Sequence, residues 1–89
     1  MKKSIVDMYV CPIDHRGPLE LYEAASEGAE VKDGAFFCAS CNRFFPIVDQ
    51  IPIMLPDNLR KREDDLDFLA KWSDKLPAKI IKQGMPWHL

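Results

Sequence analysis

The stretch Cys38-Ala-Ser-Cys41-Asn-Arg-Phe-Phe-Pro-Ile-Val-Asp-Gln-Ile-Pro-Ile-Met-Leu55 decides how the rest of the chain is interpreted. It begins with two cysteines separated by two residues and continues into aromatic and aliphatic residues. Pro46, Pro52 and Pro56 punctuate this run, and proline in a strand is confined to sheet edges or bulges. The cysteine pair therefore predicts a local fastener for a metal, and the apolar run predicts an exposed sheet edge that another protein covers.

Length and composition narrow the class of protein. A chain of 89 residues predicts one domain, too small to be more than marginally stable without a staple or a partner. With 47% hydrophobic and 29% charged residues, the composition is that of a globular protein rather than a disordered one. The net charge of -2 argues against direct nucleic-acid binding, and the basic cluster 60–62 is followed at once by acidic residues.

The apolar segments and the cysteine count indicate the compartment. No apolar run approaches the roughly 18–20 residues of a membrane span, and Asp7 interrupts any signal-peptide pattern. The sequence therefore predicts a cytoplasmic protein with no membrane contact. Three cysteines cannot all pair within one chain, and in a reducing compartment a Cys-x-x-Cys pair indicates metal binding or redox chemistry.

Residue patterns place the secondary structure around the opening stretch. A short helix is predicted over residues 3–10, because a residue before proline avoids the helical region and Pro12 follows Cys11. Gly17-Pro18 leads into the first strand, and Asp33-Gly34 predicts a hairpin turn. Apolar alternation predicts a strand over 19–23. Further strands are predicted over 35–38, 43–48 and 51–55, with 24–32 forming a loop or an irregular strand pair and Asp49-Gln50 a turn.

The region after Pro56 has a helical pattern. Asp57 is predicted to cap a helix, and a second short helix is predicted over 77–83 between Pro77 and Gly84. The apolar residues of the first helix recur near the helical period: Leu59, Leu66, Leu69, Trp72 and Leu76. The fold class is therefore α+β, a small zinc-ribbon-like antiparallel sheet over 1–56 flanked by a short N-terminal helix and a helical extension over 57–89.

Cys11, Cys38 and Cys41 lie in two turns that each precede a strand, which is the layout of a zinc ribbon. Zinc takes four ligands, and Asp14 stands where a second cysteine would complete the first turn. His15 is the alternative fourth ligand. Two further alternatives are a metal-free turn held by packing and a Cys38–Cys41 disulfide.

No catalytic set is visible in the sequence. His15 and His88 are the only histidines, and neither lies in a motif with a serine or cysteine nucleophile. The four glycines form no phosphate-binding loop. We therefore expect the chain not to be an enzyme.

Several short motifs occur together in one order: Cys11-Pro12, Gly17-Pro18-Leu19, Gly34, Cys38-x-x-Cys41 and Phe45-Pro46-Ile47-x-Asp49-x-Ile51-Pro52-x-Met54-Leu55. This succession resembles the tRNA-methyltransferase subunit one-twelve family over residues 1 to about 56. The helical tail looks like the longer archaeal type. Asp14 departs from the family pattern at the second cysteine, and Gln50 departs at a turn glycine.

The resemblance implies a non-catalytic activator that forms heterodimers with S-adenosylmethionine-dependent methyltransferases acting on tRNA, ribosomal RNA or a translation release factor. It also implies pairing of strands between activator and enzyme. The predicted partner-binding residues are Phe44, Phe45, Pro46, Ile47, Ile51, Pro52, Ile53, Met54 and Leu55. Packing of this run under the C-terminal helix is the plainer alternative, and a stand-alone zinc-ribbon module that binds nucleic acid is the rival function.

Overall fold

The predicted α+β class is confirmed by a computed structural model, which describes residues 2–15 and 19–89. The Gly17-Pro18 lead into the first strand lies outside the described residues. A four-stranded antiparallel sheet has the order β1-β2-β3-β4. The elements are a 3-10 helix (Lys3–Met8), β1 (Glu20–Glu27), β2 (Glu30–Cys38), β3 (Arg43–Val48), β4 (Ile51–Pro52), a 3-10 turn (Asp57–Leu59), α1 (Arg62–Lys71) and α2 (Ala78–Ile81).

Consecutive phenylalanines in β2 and β3 supply the two faces of the sheet, because side chains along a strand alternate between faces. Phe36 and Phe45 belong to a core cluster that also contains Cys11 and Cys38. Phe37 and Phe44 belong to a second cluster with the buried residues of the helices: Phe68, Leu69, Leu76, Ile80 and Ile81. The sheet therefore carries the cysteine turns on one face and the helices on the other.

The helical region follows the predicted pattern with shifted ends. Asp57 begins a 3-10 turn rather than the helix itself, and Leu59 in that turn is 58% exposed instead of facing the core. Pro77 is the N-cap of α2, which ends at Ile81. Gly84 permits a close approach, since a Cβ there would lie 2.5 Å from the carbonyl oxygen of Ile80. None of the helices in the described part of the chain has the length and apolar character needed to cross a membrane.

The predicted hairpin turn at Asp33-Gly34 is wrong, because both residues lie inside β2. The chain turns instead at Gly28-Ala29, where Gly28 has a φ of 59°. Gly34 serves a different purpose: it pairs with Glu23 beside an irregularity in the β1–β2 register. A Cβ on Gly34 would lie 2.4 Å from the carbonyl oxygen of Tyr22, so glycine allows the strands to approach.

β3 is an interior strand, so the predicted edge position is wrong for residues 43–48 and correct for β4. On the side away from β2, the Phe44 N–H donates to the Met85 carbonyl at 3.1 Å. The Phe44 carbonyl accepts from Arg60 Nη1 at 2.8 Å, and the Pro46 carbonyl accepts from the Ile53 N–H at 2.8 Å. Proline is tolerated here because only its carbonyl is used on this side.

The turn between β3 and β4 is confirmed at Asp49-Gln50. Both residues have positive φ, 49° and 71°, as the type I′ hairpin turn requires. Gln50 donates its N–H to the Lys32 carbonyl at 2.8 Å, and the Asp49 N–H donates to Asp33 Oδ1 at 3.3 Å. β4 then spans only Ile51–Pro52 rather than the predicted 51–55.

Candidate metal centre and partner-binding surface

Two turns, the first knuckle (residues 11–15) and the second knuckle (residues 38–42), have the same backbone shape. In the first, the Cys11 carbonyl accepts from the His15 N–H at 2.9 Å, and in the second the Cys38 carbonyl accepts from the Asn42 N–H at 2.8 Å. His15 and Asn42 both adopt the left-handed conformation, with φ of 57° and 60°. The residue at the fourth position therefore has the same orientation relative to its own knuckle in both turns.

Asp14 occupies that position in the first knuckle, and Cys41 occupies it in the second. One ligand atom from each of Cys11, Asp14, Cys38 and Cys41 forms a group in which all four lie within 4.8 Å of one another. Cys11 Sγ lies 3.7 Å from Cys41 Sγ, and Cys38 Sγ lies 3.6 Å from Asp14 Oδ2. The four residues are close enough to bind a metal ion.

The spacing of these atoms fits zinc. Tetrahedral geometry with Zn–S of about 2.3 Å and Zn–O of about 2.1 Å requires separations of about 3.8 Å between two sulfurs and about 3.6 Å between sulfur and oxygen. The observed distances agree with both values. His15, the alternative fourth ligand, is exposed and stands outside the group. Among the described residues, Asp14 rather than His15 belongs to the group that lies close enough to bind a metal ion.

Burial acts on the pKa of all three cysteine thiols. It raises the pKa of Cys11 to about 12, against the opposing effect of the Asp14 and Ile13 N–H groups, and it also raises the pKa of Cys38. Burial acts in the same direction on Cys41, but the pKa of Cys41 is lowered overall by the combined effect of the Arg43 backbone and side chain and of the neighbouring Cys38 and Cys11 side chains. All three cysteines are free, so the alternative Cys38–Cys41 disulfide is not formed. Three thiolates at these distances would repel one another, and a cation among them would favour the ionised form.

The predicted partner-binding residues fall into two groups. Phe44, Phe45, Pro46 and Ile47 are buried. Phe44 belongs to the core cluster on one face of the sheet and Phe45 and Ile47 to the cluster on the other, whereas Pro46 lines a groove beside α1. Met54 is half-buried against the cluster that contains Cys11. Their contact with a partner stays a prediction, and in the free chain these side chains already have neighbours.

The other group lies at the surface beside β4. Ile51 is 64% exposed, and Leu55 is 37% exposed. A groove of about 240 Å³, the apolar groove, separates this segment from α1 and is lined by Pro46, Val48, Ile53, Leu55, Leu59, Arg60, Lys61, Asp64, Asp65 and Phe68. Val48 and Leu59 also line this groove, and the sequence did not predict either as a partner-binding residue. Val48 lies within the apolar run, and Leu59 is the first apolar residue of the helical pattern.

The antiparallel sheet with its two knuckles places the protein among small zinc-ribbon-like α+β folds. A UPF0434 protein of Dechloromonas aromatica (strain RCB) is 38% identical over 65 residues, which cover 73% of this chain and 97% of that protein. The chain belongs to the UPF0434 family. No family model matches it.

The structure is also similar to a chain in the complex between the Haloferax volcanii Trm112 methyltransferase activator and the putative methyltransferase. The TM-score is 0.64 with 33% identity, and the match covers 67% of this chain and 100% of that chain. This agrees with the resemblance seen in the sequence motifs. The archaeal type of the tail stays a prediction, since the similar proteins come from both Dechloromonas aromatica and Haloferax volcanii.

Proposed function

We propose that this protein is a non-catalytic subunit that binds, stabilises and activates S-adenosylmethionine-dependent methyltransferases. The observation that carries the proposal is the similarity to the Trm112 methyltransferase activator complex, which extends over the whole of the matched chain. The substrates of the complex would be tRNA, ribosomal RNA or a translation release factor, and the compartment would be the cytoplasm. The chain itself would contact neither nucleic acid nor membrane.

The proposed metal is one structural zinc ion held by Cys11, Asp14, Cys38 and Cys41. Four protein ligands fill a tetrahedral site, so no position is open for a substrate or an activated water. Bound there, zinc would join the two knuckles, and its binding energy would contribute directly to folding.

The proposed partner contact is the outer edge of β4 together with the apolar groove. A partner strand added at this edge would gain backbone hydrogen bonds, and its alternate side chains would reach the groove. Val48, Ile53 and Leu55 supply apolar surface there. The opposite edge, β1, is less suited, since it carries Glu20, Glu23 and Glu27 and two register irregularities that oppose strand addition.

The test is co-expression with candidate methyltransferases of the source cell, found by affinity capture of the tagged chain and mass spectrometry. We expect a stable heterodimer whose methyl transfer from S-adenosylmethionine exceeds that of the enzyme alone. The isolated chain should give a flat calorimetric titration with S-adenosylmethionine. A shift of RNA by the isolated chain, without capture of any methyltransferase, would establish the rival nucleic-acid-binding module instead.

A further inference from the structure

Arg43 lies between the second knuckle and the start of the helical extension. Its Nε donates to Asp57 Oδ1 at 2.9 Å and its Nη2 donates to Asp57 Oδ2 at 2.7 Å, which is the paired geometry of a strong arginine–carboxylate contact. Arg43 is the first residue of β3 and stands two positions after Cys41, so the Asp57 contact anchors the strand that leaves the second knuckle. The Arg43 side chain is 21% exposed, so water competes only partly for these contacts. This contact thus joins the residue that follows the second knuckle to the first residue of the helical extension.

A second connection reaches the same knuckle from the end of the chain. The Met85 N–H donates to the Asn42 carbonyl at 2.8 Å, and the Met85 carbonyl accepts from the Phe44 N–H at 3.1 Å. Met85 thereby forms a parallel bridge with Arg43. The segment that follows Cys41 is therefore held by Asp57 through the Arg43 side chain and by Met85 through the backbone, and both residues belong to the helical extension.

We propose that Arg43, held by Asp57, is a positioning residue of the metal site that couples metal affinity to the docking of the helical extension. This rests on the proposed zinc site. Contacts just outside the ligand set hold the ligands in position, and the loss of such a contact typically weakens metal binding about 10–100-fold. With its guanidinium fixed by Asp57, Arg43 holds the start of the strand that leaves the second knuckle, two residues after Cys41. Because coupling between two binding events is reciprocal, zinc must in turn stabilise the docked extension.

The first experiment measures zinc affinity of the full-length chain by competition with a chromophoric chelator. Asp57→Asn removes the carboxylate charge at nearly constant shape, and we expect about tenfold weaker zinc binding. Asp57→Glu keeps the charge and should recover most of the affinity. Glu27→Gln is the matched control, since it removes the exposed Lys32–Glu27 ion pair (3.0 Å) and should leave zinc affinity unchanged.

The second experiment reads the reciprocal effect through fluorescence. Both tryptophans of the chain, Trp72 and Trp87, lie in the helical extension, so intrinsic tryptophan emission reports on that region alone. Adding zinc to the metal-free wild type should change the emission, and the change should be smaller in Asp57→Asn.

The two measurements separate this proposal from the metal site on which it rests. Wild-type zinc affinity in Asp57→Asn would overturn the coupling and leave the zinc site intact, even if that variant melts at a lower temperature. A wild-type chain that binds no zinc would overturn both.

Discussion

The Sγ atom of Cys38 lies 3.6 Å from Oδ2 of Asp14, although 24 positions separate the two residues in the sequence. The contact exists because the two knuckles face each other across the end of the sheet with matching backbone shape. It places Asp14, rather than the neighbouring His15, in the group of four residues that could hold a metal ion.

The first prediction concerns this carboxylate. Asp14→Ala should weaken zinc binding by about 100-fold or more, since losing a direct ligand costs at least as much as losing an outer hydrogen bond. Asp14→Cys should strengthen it, because thiolate is a softer ligand for zinc than carboxylate. Chelator competition measures both.

The control for this series is His15→Asn, which retains the left-handed turn and copies Asn42 at the equivalent position of the second knuckle. Its zinc affinity should equal that of the wild type. If His15→Asn weakens binding as much as Asp14→Ala, the imidazole is the fourth ligand and the assignment of Asp14 is wrong.

The second prediction concerns the proposed partner surface. Ile53→Asp places a charge in the apolar groove, where a bound methyltransferase would have to desolvate it at a cost of several kcal/mol. Co-purification with the methyltransferase should be lost. Met8→Asp places the same charge at an apolar residue that is 79% exposed and outside the groove, and it should bind normally.

Circular dichroism of the free variants accompanies this measurement, because Ile53 is half-buried and donates its N–H to Pro46. If Ile53→Asp unfolds, Ile51→Asp replaces it, since Ile51 is 64% exposed on the same edge. Normal binding by a folded variant at either position contradicts the proposed edge.

The third prediction concerns the ion pair of Arg60 and Asp65, whose residues are 8% and 5% exposed. Burial raises the pKa of Asp65 more than the Arg60 hydrogen bond lowers it, so desolvation exceeds the attraction. Removing one partner leaves the other charge buried, and Asp65→Leu should cost about 3–5 kcal/mol in urea unfolding. The double variant Arg60→Met with Asp65→Leu should lose less, retaining the penalty of the unpaired Phe44 carbonyl.

Asp64→Leu is the matched control for that pair, because Asp64 is exposed in the same turn of α1. Its unfolding free energy should stay within about 0.5 kcal/mol of the wild type. A double variant less stable than Asp65→Leu alone would show that the ion pair is net stabilising.

The fourth prediction concerns the stability of the folded chain at low pH. Hydrogen bonds from Arg43 lower the pKa of Asp57 below its usual 3.8, so the folded chain favours the carboxylate. The resulting stability is present above pH 3.8 and disappears as the pH falls through the lowered value. Asp57 is 40% exposed, so we expect a contribution of about 1 kcal/mol or less.

The measurement is urea unfolding of metal-free wild type and Asp57→Asn between pH 7 and pH 2, without zinc because acid also releases the metal. The difference in unfolding free energy should shrink toward the acid end. A difference that is constant with pH would mean that the Asp57 carboxylate contributes no charge-dependent stability.

The sequence by itself determined the elements with strong local signals. Cysteine spacing predicts the knuckles, the apolar run after Cys41 predicts β3, and the helical period predicts the buried residues Leu69 and Leu76 of the extension. Asp14 could also be predicted as a candidate metal ligand, because the sequence alone places it at the fourth position of the first knuckle. These properties depend on neighbours a few positions away, which is the range over which backbone conformation and side-chain periodicity act.

Only the tertiary structure decided which strand is the edge and what the glycines and prolines do. The sequence predicts an unpaired edge along the apolar run. In the structure, Arg60 and Met85 of the helical extension hydrogen-bond the Phe44 backbone on the side away from β2. Gly34 belongs inside β2 because Tyr22 of the neighbouring strand leaves no room for a Cβ. Each outcome depends on a residue at least ten positions away, and no local pattern encodes which distant group will complete a hydrogen bond or occupy a space.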